Sequence, residues 1–252
     1  ILAQADSLVA VSETFLNWAL SYAGRKRANT DKVFYIGHET APAHLTNTSE
    51  RFANLMKILH GKFVVTFVGT VSKKHHNPMI LVETAKRLAK YKDIFFVIAG
   101  DGEFLEVVSK AAVGLCNIHL TGWLDQTEIV YLLKNSHIGT CPAAEPTMLM
   151  TNKFFSYLSE GLPVISAFGG DLEKIIGAKK VGLNYPPGNA DDFASAILKL
   201  YSDKSLYKEL SMNCRTLFVQ QFDSRKIYQD YCSHIETIMM AYPSRTKVSA
   251  LP

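Results

Sequence analysis

Along the chain, apolar residues fall into short unbroken runs separated by longer stretches in which they recur every three or four positions. The unbroken runs read as strands buried on both faces and the periodic stretches as amphipathic helices. Beyond about residue 60 the alternation is regular. Strands are predicted at 63–68, 94–99, 118–120, 138–141, 163–166 and 182–185. Helices are predicted through Ile80, Leu81, Ala85, Leu88 and Ala89, and over 104–112, 127–134 and 192–201. Continuous apolar strands alternating with amphipathic helices build a parallel sheet covered on both sides. The predicted fold class is α/β, a doubly wound parallel sheet with helices on both faces.

The ends of the chain are organised differently. An apolar run at 7–11 ends in Ser12, which can cap a helix carrying Phe15, Leu16, Leu20 and Tyr22 up to Gly24, and a second strand is predicted at 33–36. The polar segment 37–50, rich in Thr, Ala, His and Asn, reads as a linker and as the domain boundary. From 204 to 240 the pattern is helical, broken at Phe222-Asp223-Ser224, where Asp223 or Ser224 can cap a last helix through Ile227, Tyr231, Ile235 and Ile238. A helix placed after the final strand is free to pack on another domain. The chain therefore divides at 1–50, 51–222 and 223–252.

Composition narrows the class of protein. An apolar fraction of 48% in 252 residues fits a globular chain with a sizeable core. The net charge of +4 calls for no nucleic-acid partner but accommodates phosphate ligands or an acidic membrane surface. Cys116, Cys141, Cys214 and Cys232 are scattered without metal-ligand or redox spacing, which predicts reduced, mostly packed thiols in a cytoplasmic protein. No apolar run approaches the roughly 20 residues that span a bilayer. The opening ILAQADSLVAVSE has no signal-peptide pattern and no initiator Met, and reads as part of a longer protein.

The segment CPAAEPTMLMTNKFFSYLSEGLPVI, Cys141 to Ile165, carries the sharpest chemical signal. It reads as a loop, a helix opening on Asn152 and Lys153 with Thr151 or Asn152 as cap, and a strand, Gly161 and Pro163 stopping the helix. Free N–H groups at a helix start beside an ammonium form a ready phosphate site, and in open α/β sheets ligands gather where strand ends lead into helices. The alternative is a core helix with a capping Asn and a solvated Lys.

Three glycine turns follow predicted strands: Gly69-Thr70, Gly100-Asp101-Gly102 and Gly122-Trp123. Each lets backbone approach a ligand or simply turns the chain. None is a dinucleotide fingerprint or a Walker loop, which disfavours NAD enzymes and P-loop NTPases. Lys73, Lys74, His75 and His76 follow the first turn at a helix start, where a diphosphate could meet both N–H groups and cations, or the lysines could be solvated. His75 and His76 are adjacent and so lie on different helix faces, which argues against a metal site. Glu145 is the lone carboxylate of the 141–151 loop, placed to accept hydroxyls of a sugar or to face water. Trp123 either presents its ring to a base or packs between helix and sheet. No G-x-S-x-G and no D-x-D pair occurs, so neither covalent nucleophilic catalysis nor a divalent cation is expected.

Taken in order, FVGT, FFVIAGDGEF, IHLTGWLDQTEIVYLLKNSHIGTCP, NKFFSYLSEGLPVIS and VGLNYPPGNADDFASAILKLY resemble the donor-binding half of GT-B glycosyltransferases of the family 4 group, over about residues 62 to 240. ADSLVAVSE is similar to the last unit of that family's acceptor-binding domain. The resemblance implies a Rossmann-like donor domain at 51–222, the end of an acceptor-binding domain with its linker at 1–50, and a C-terminal helix at 223–252 returning to that domain. It implies transfer of a sugar from a UDP- or GDP-sugar to an acceptor hydroxyl, retaining and without metal or other cofactor.

The site the resemblance implies has Gly69, Thr70, Lys73, Lys74, His75 and Gly100 about the diphosphate, Gly122 and Trp123 near the base, and Glu145, Thr147, Asn152, Lys153 and Ser156 about sugar and phosphates. Glu145 and Lys153 take the catalytic roles. Family habit points to glycan or lipid-linked acceptors and to a peripheral place at the inner face of a membrane. Departures are specific: Thr70 and His75 stand where the family often has Arg and Lys, Glu145 lies three residues early, and Ser156 replaces the glutamate that usually holds ribose. An NK-x-F-(D/E)-Y-L subgroup matches better. These departures support a second reading, a noncatalytic sugar- or nucleotide-binding or scaffolding subunit of the same fold.

Overall fold

The computed structural model describes residues 1–39, 49–76 and 78–241, with the His75 side chain left out; much of the predicted 37–50 linker lies outside these. The described residues of Ile1–Glu39 and Gln220–Pro252 form one compact unit, and those of Thr40–Val219 form another.

In the first unit, β1 (Val9–Ala10) pairs in parallel with β2 (Lys32–Val33), joined through α1 (Glu13–Ala23). Ser12 caps α1 by accepting from the Phe15 N–H, and Gly24 ends it in the left-handed conformation, as the sequence predicts. The strand predicted at 33–36 is formed at Lys32–Val33, with the Phe34 N–H also donating to the Ala10 carbonyl at 2.9 Å. Arg25 grips the buried Asp31 carboxylate through two hydrogen bonds of 2.7 and 2.8 Å, and the Leu8 and Ala28 N–H groups also donate to it. The guanidinium, with these backbone donors, holds the Asp31 carboxyl well below its usual range. This group fastens β1 to the turn before β2.

The second unit begins with a helix where the sequence reading assigns no element, α2 (Glu50–Leu59), capped by the Ser49 hydroxyl. There follow β3 (Phe63–Val68), the four-residue α3 (Lys73–His76), α4 (Met79–Arg87), β4 (Ile94–Ala99), α5 (Leu105–Ala112), β5 (Ile118–Gly122), α6 (Gln126–Lys134) and β6 (Ile138–Cys141). The remainder is α7 (Asn152–Ser159), β7 (Val164–Ser166), α8 (Asp171–Lys179), β8 (Gly182–Asn184), α9 (Ala190–Ser202) and α10 (Lys204–Leu217). Back in the first unit, α11 (Ser224–Ala241) follows a π-helical turn, and the Asp223 carboxylate accepts from the Arg225 N–H near its start.

The six strands are parallel in the order β5-β4-β3-β6-β7-β8. Phe52, Leu55 and Leu59 of α2 and Leu132 of α6 pack on Val64, Phe95 and Val97. The alternate residues Val65, Phe67, Phe96 and Ile98 point the other way and are just as buried, so both faces are covered. The chain winds outward in one direction from β3 and in the other from β6. Ligand crevices form at such a reversal, beyond the carboxyl ends of the strands. No helix of the described residues is long and apolar enough to cross a membrane. Of the four thiols, Cys141 and Cys214 are packed while Cys116 and Cys232 are exposed.

Candidate active site

The site is built around α7, between β6 and β7. Phe154, Phe155, Tyr157 and Leu158 are essentially inaccessible, which drives the helix onto the sheet. The Tyr157 ring lies on Gly139, where any Cβ would come within 2.3 Å of it. Its hydroxyl accepts from the Val68 N–H at 3.0 Å and donates to the Thr140 carbonyl at 3.3 Å. One side chain thus ties α7 to β3 and β6, the two strands at the reversal.

One turn earlier, Lys153 is only 7% exposed and its Nζ stands 4.9 Å from the Phe67 ring centroid. It reaches the end of β3, where a Cβ on Gly69 would lie 2.9 Å from Lys153 Cε and 3.1 Å from Nζ. Among the described residues no carboxylate pairs with it. Burial pulls its pKa down to about 8, while burial pushes the neighbouring Cys141 thiol up to about 12, so the thiol stays neutral and gives no counter-charge. Lys153 is therefore the reverse of a solvated surface lysine. Thr151 occupies the N-cap position of α7 without a side-chain cap, and Asn152 is exposed, so the expected cap is not made.

Gly69, Gly100 and Gly122 end the adjacent strands β3, β4 and β5. The Gly69 N–H donates to Ala99 O and the Gly100 N–H to Gly122 O, each at 2.9 Å. Gly69 has φ +145° and Gly100 φ +146°, and a Cβ on Gly100 would sit 1.9 Å from the Gly69 carbonyl oxygen. Only glycine allows the two turns to stack this closely. Above them a cleft of about 270 Å³ is lined by Gly69, Thr70, Gly100, Asp101, Trp123 and Leu124. A second, of about 600 Å³, lies on the other side of Thr70, with Ser72, Lys74, His76, Glu103 and Leu149. A third, of about 490 Å³, involves Thr147, Gly169, Glu173 and Tyr185 at the ends of β7 and β8.

The predicted residues thus separate. Gly69, Thr70, Gly100, Gly122, Trp123 and Lys153 converge at one end of the sheet. Trp123 is 72% exposed, which removes the reading that packs it between helix and sheet. Lys74 lines the second cleft, whereas Lys73 is exposed and its N–H donates to Glu103. The helix expected to start here is a single turn, too short for an N-terminal phosphate site. Thr147 lines the third cleft and bonds its hydroxyl to the Glu145 carbonyl; Glu145 is exposed and lines none of the three. The Ser156 hydroxyl turns back on the Asn152 carbonyl at 3.5 Å.

A parallel sheet flanked by helices on both faces and reversing between β3 and β6 is the fold of GT-B glycosyltransferases. Solved structures agree with it. Anabaena HepE in complex with UDP superposes with a TM-score of 0.74 at 20% identity, over 92% of this chain and 64% of that one. Sucrose-phosphate synthase from Thermosynechococcus elongatus gives 0.73 at 17%, over 95% and 60%. The C-terminal domain of the group 1 glycosyl transferase LpcC from Francisella tularensis gives 0.58 at 20%, over 74% and 99%. The chain belongs to the family Glycosyl transferases group 1, which it matches over residues 62–203, more than half its length. It spans less than two thirds of the HepE and sucrose-phosphate synthase chains. A comparison with curated proteins finds no match.

Proposed function

We propose that this chain carries the donor site of a glycosyltransferase that moves a sugar from a UDP- or GDP-sugar to an acceptor hydroxyl, with retention and without a metal, in glycan or polysaccharide assembly. The observation that carries the reading is Lys153 at the start of α7, a buried ammonium without a carboxylate partner among the described residues, set against the bare backbone of Gly69. A nucleoside diphosphate supplies the missing negative charge. As the anomeric carbon–oxygen bond to phosphate breaks, the electron pair goes to the leaving phosphate, which Lys153 and the α7 amides stabilise. The acceptor oxygen forms the new bond and its proton leaves with solvent or the departing phosphate. This local positive charge takes the place a divalent cation would fill.

HepE has been solved with UDP and with UDP-glucose, which supports a uridine nucleotide as the first donor to try. The 1–39 segment with α11 is assigned to the acceptor-binding side, with a glycan or lipid-linked acceptor and a peripheral membrane position. Ser156, which faces its own helix in place of an acid, favours the second reading, a nucleotide-binding subunit without transfer.

The thermal midpoint of the chain is expected to rise with one series of nucleotide sugars among UDP-, GDP- and ADP-sugars, equally with Mg²⁺ or a chelator, because a ligand of the native state stabilises it by mass action. Transfer to an acceptor in the longer protein then separates the two readings. No shift with any nucleotide at millimolar concentration sinks both.

A further inference from the structure

Beside the first cleft, next to its Trp123 wall, stands a group outside the glycine turns and α7. Gly122 ends β5 with φ +67°, and the nearest atom to a Cβ built there is a guanidinium nitrogen of Arg51, at 3.5 Å. Arg51 belongs to the first turn of α2. That helix leads through a short turn into β3, so its amino end lies by the carboxyl ends of the strands. The Ser49 hydroxyl bonding Glu128 at 2.8 Å, in the first turn of the helix after β5, fixes it there. Half-buried His119 of β5 also feels the Arg51 charge, which, after burial, helps hold its pKa down.

This placement is unfavourable for folding. A cation in the first turn opposes the helix dipole, and Arg51 has no carboxylate, carbonyl or ring partner among the described residues to offset that. Next along the chain from Gly122, Trp123 presents an indole that is 72% exposed and stacks on no other ring among the described residues. A guanidinium offers only donors, in a planar fork, and an indole offers a flat face. A planar heterocycle with a ring carbonyl matches both.

We infer that Arg51 reads the nucleobase of the donor, selecting bases that carry a ring carbonyl, such as uracil or guanine, over adenine, while Trp123 stacks on any base. The inference rests on the donor-site reading above and adds to it the residue that sets donor choice. Adenine has no carbonyl oxygen and places an amino donor where the fork needs an acceptor. Stacking discriminates little, since every base has a π-face.

The test is calorimetric binding of UDP, GDP and ADP to the wild-type chain and to Arg51→Ala, Arg51→Lys and Trp123→Ala. Both positions are exposed, and the arginine opposes its helix dipole, so these variants are expected to fold as well as wild type, which the thermal midpoint checks. Wild type is expected to bind UDP or GDP at least about tenfold more tightly than ADP, one charge-assisted hydrogen bond to a ring carbonyl being enough for that ratio. Arg51→Ala should level the three, Arg51→Lys should recover only part of the preference, and Trp123→Ala should weaken all three together. Wild-type preference for ADP, or unchanged selectivity in Arg51→Ala, overturns the inference and leaves the donor site standing. Binding of none of the three by wild type overturns the donor site and the inference together.

Discussion

Lys153 of α7 and Gly69 at the end of β3 meet side chain to bare backbone: a methyl group on the glycine would stand 2.9 Å from Lys153 Cε. The contact brings a buried cation to a strand end where Gly69 carries no side chain of its own. Tyr157, one turn on, holds the helix in this place through Val68 and Thr140.

The glycine turns give a graded prediction. Gly100→Ala drives a Cβ to 1.9 Å from the Gly69 carbonyl, backbone against backbone at φ +146°, and should destabilise the fold by about 1–3 kcal/mol from backbone strain alone. Gly69→Ala meets the flexible end of Lys153, which can move, so it should cost less stability and more nucleotide affinity. Chemical denaturation and nucleotide titration separate the two; a Gly69→Ala protein binding nucleotide as wild type does would remove the role given to this contact.

Tyr157→Phe should lower stability by about 1–3 kcal/mol, because the Val68 N–H loses its acceptor and the Thr140 carbonyl a donor in a dry site. Urea melts at matched conditions measure this. No loss would mean that packing of the ring on Gly139, and not the hydroxyl, positions α7.

Burial lowers the Lys153 pKa from 10.5 to about 8, so the folded chain releases this proton before the unfolded chain does. Between about pH 8 and about pH 10.5 the unfolded state binds more protons, and this group's contribution to stability rises with pH. Affinity for a nucleoside diphosphate runs the opposite way: it is full below about pH 8 and falls above as the ammonium is lost. Titration from about pH 7 to about pH 10 should show that decline in wild type and a flatter profile in Lys153→Arg, which stays charged and controls for titration of the ligand itself. Parallel profiles would contradict the assignment.

Strand and helix order in the sheet was legible because β4 is an unbroken apolar run, β3 is interrupted only by Thr66, and the connecting helices carry strong periodicity. The carboxyl end of α7 followed from Gly161 and Pro163. α2 was hidden because its cap, Ser49, continues a polar Thr- and Asn-rich segment, although Phe52, Leu55, Met56 and Leu59 repeat at helical spacing. Within the site, the sequence places Gly69, Gly100, Gly122 and Lys153 at strand and helix ends. It does not show that Lys153 is buried, since that depends on Phe67 beneath it and the missing side chain of Gly69, both distant in sequence. Nor does it show Arg51, whose one local sign is a cation against a helix dipole. Trp123 is exposed because it follows a left-handed glycine at a strand end, a conformation that apolar pattern alone does not encode.

The most direct measurement is titration of UDP and GDP into wild type and Lys153→Met, with the thermal midpoint of each protein taken alongside. Replacing a buried, unpaired ammonium by an apolar side chain of similar length should leave the unliganded midpoint equal or higher, since a desolvated charge is removed. Affinity should fall at least tenfold, about 1.4 kcal/mol. A Lys153→Met protein that is stable and binds nucleotide as tightly as wild type would contradict the account at its centre.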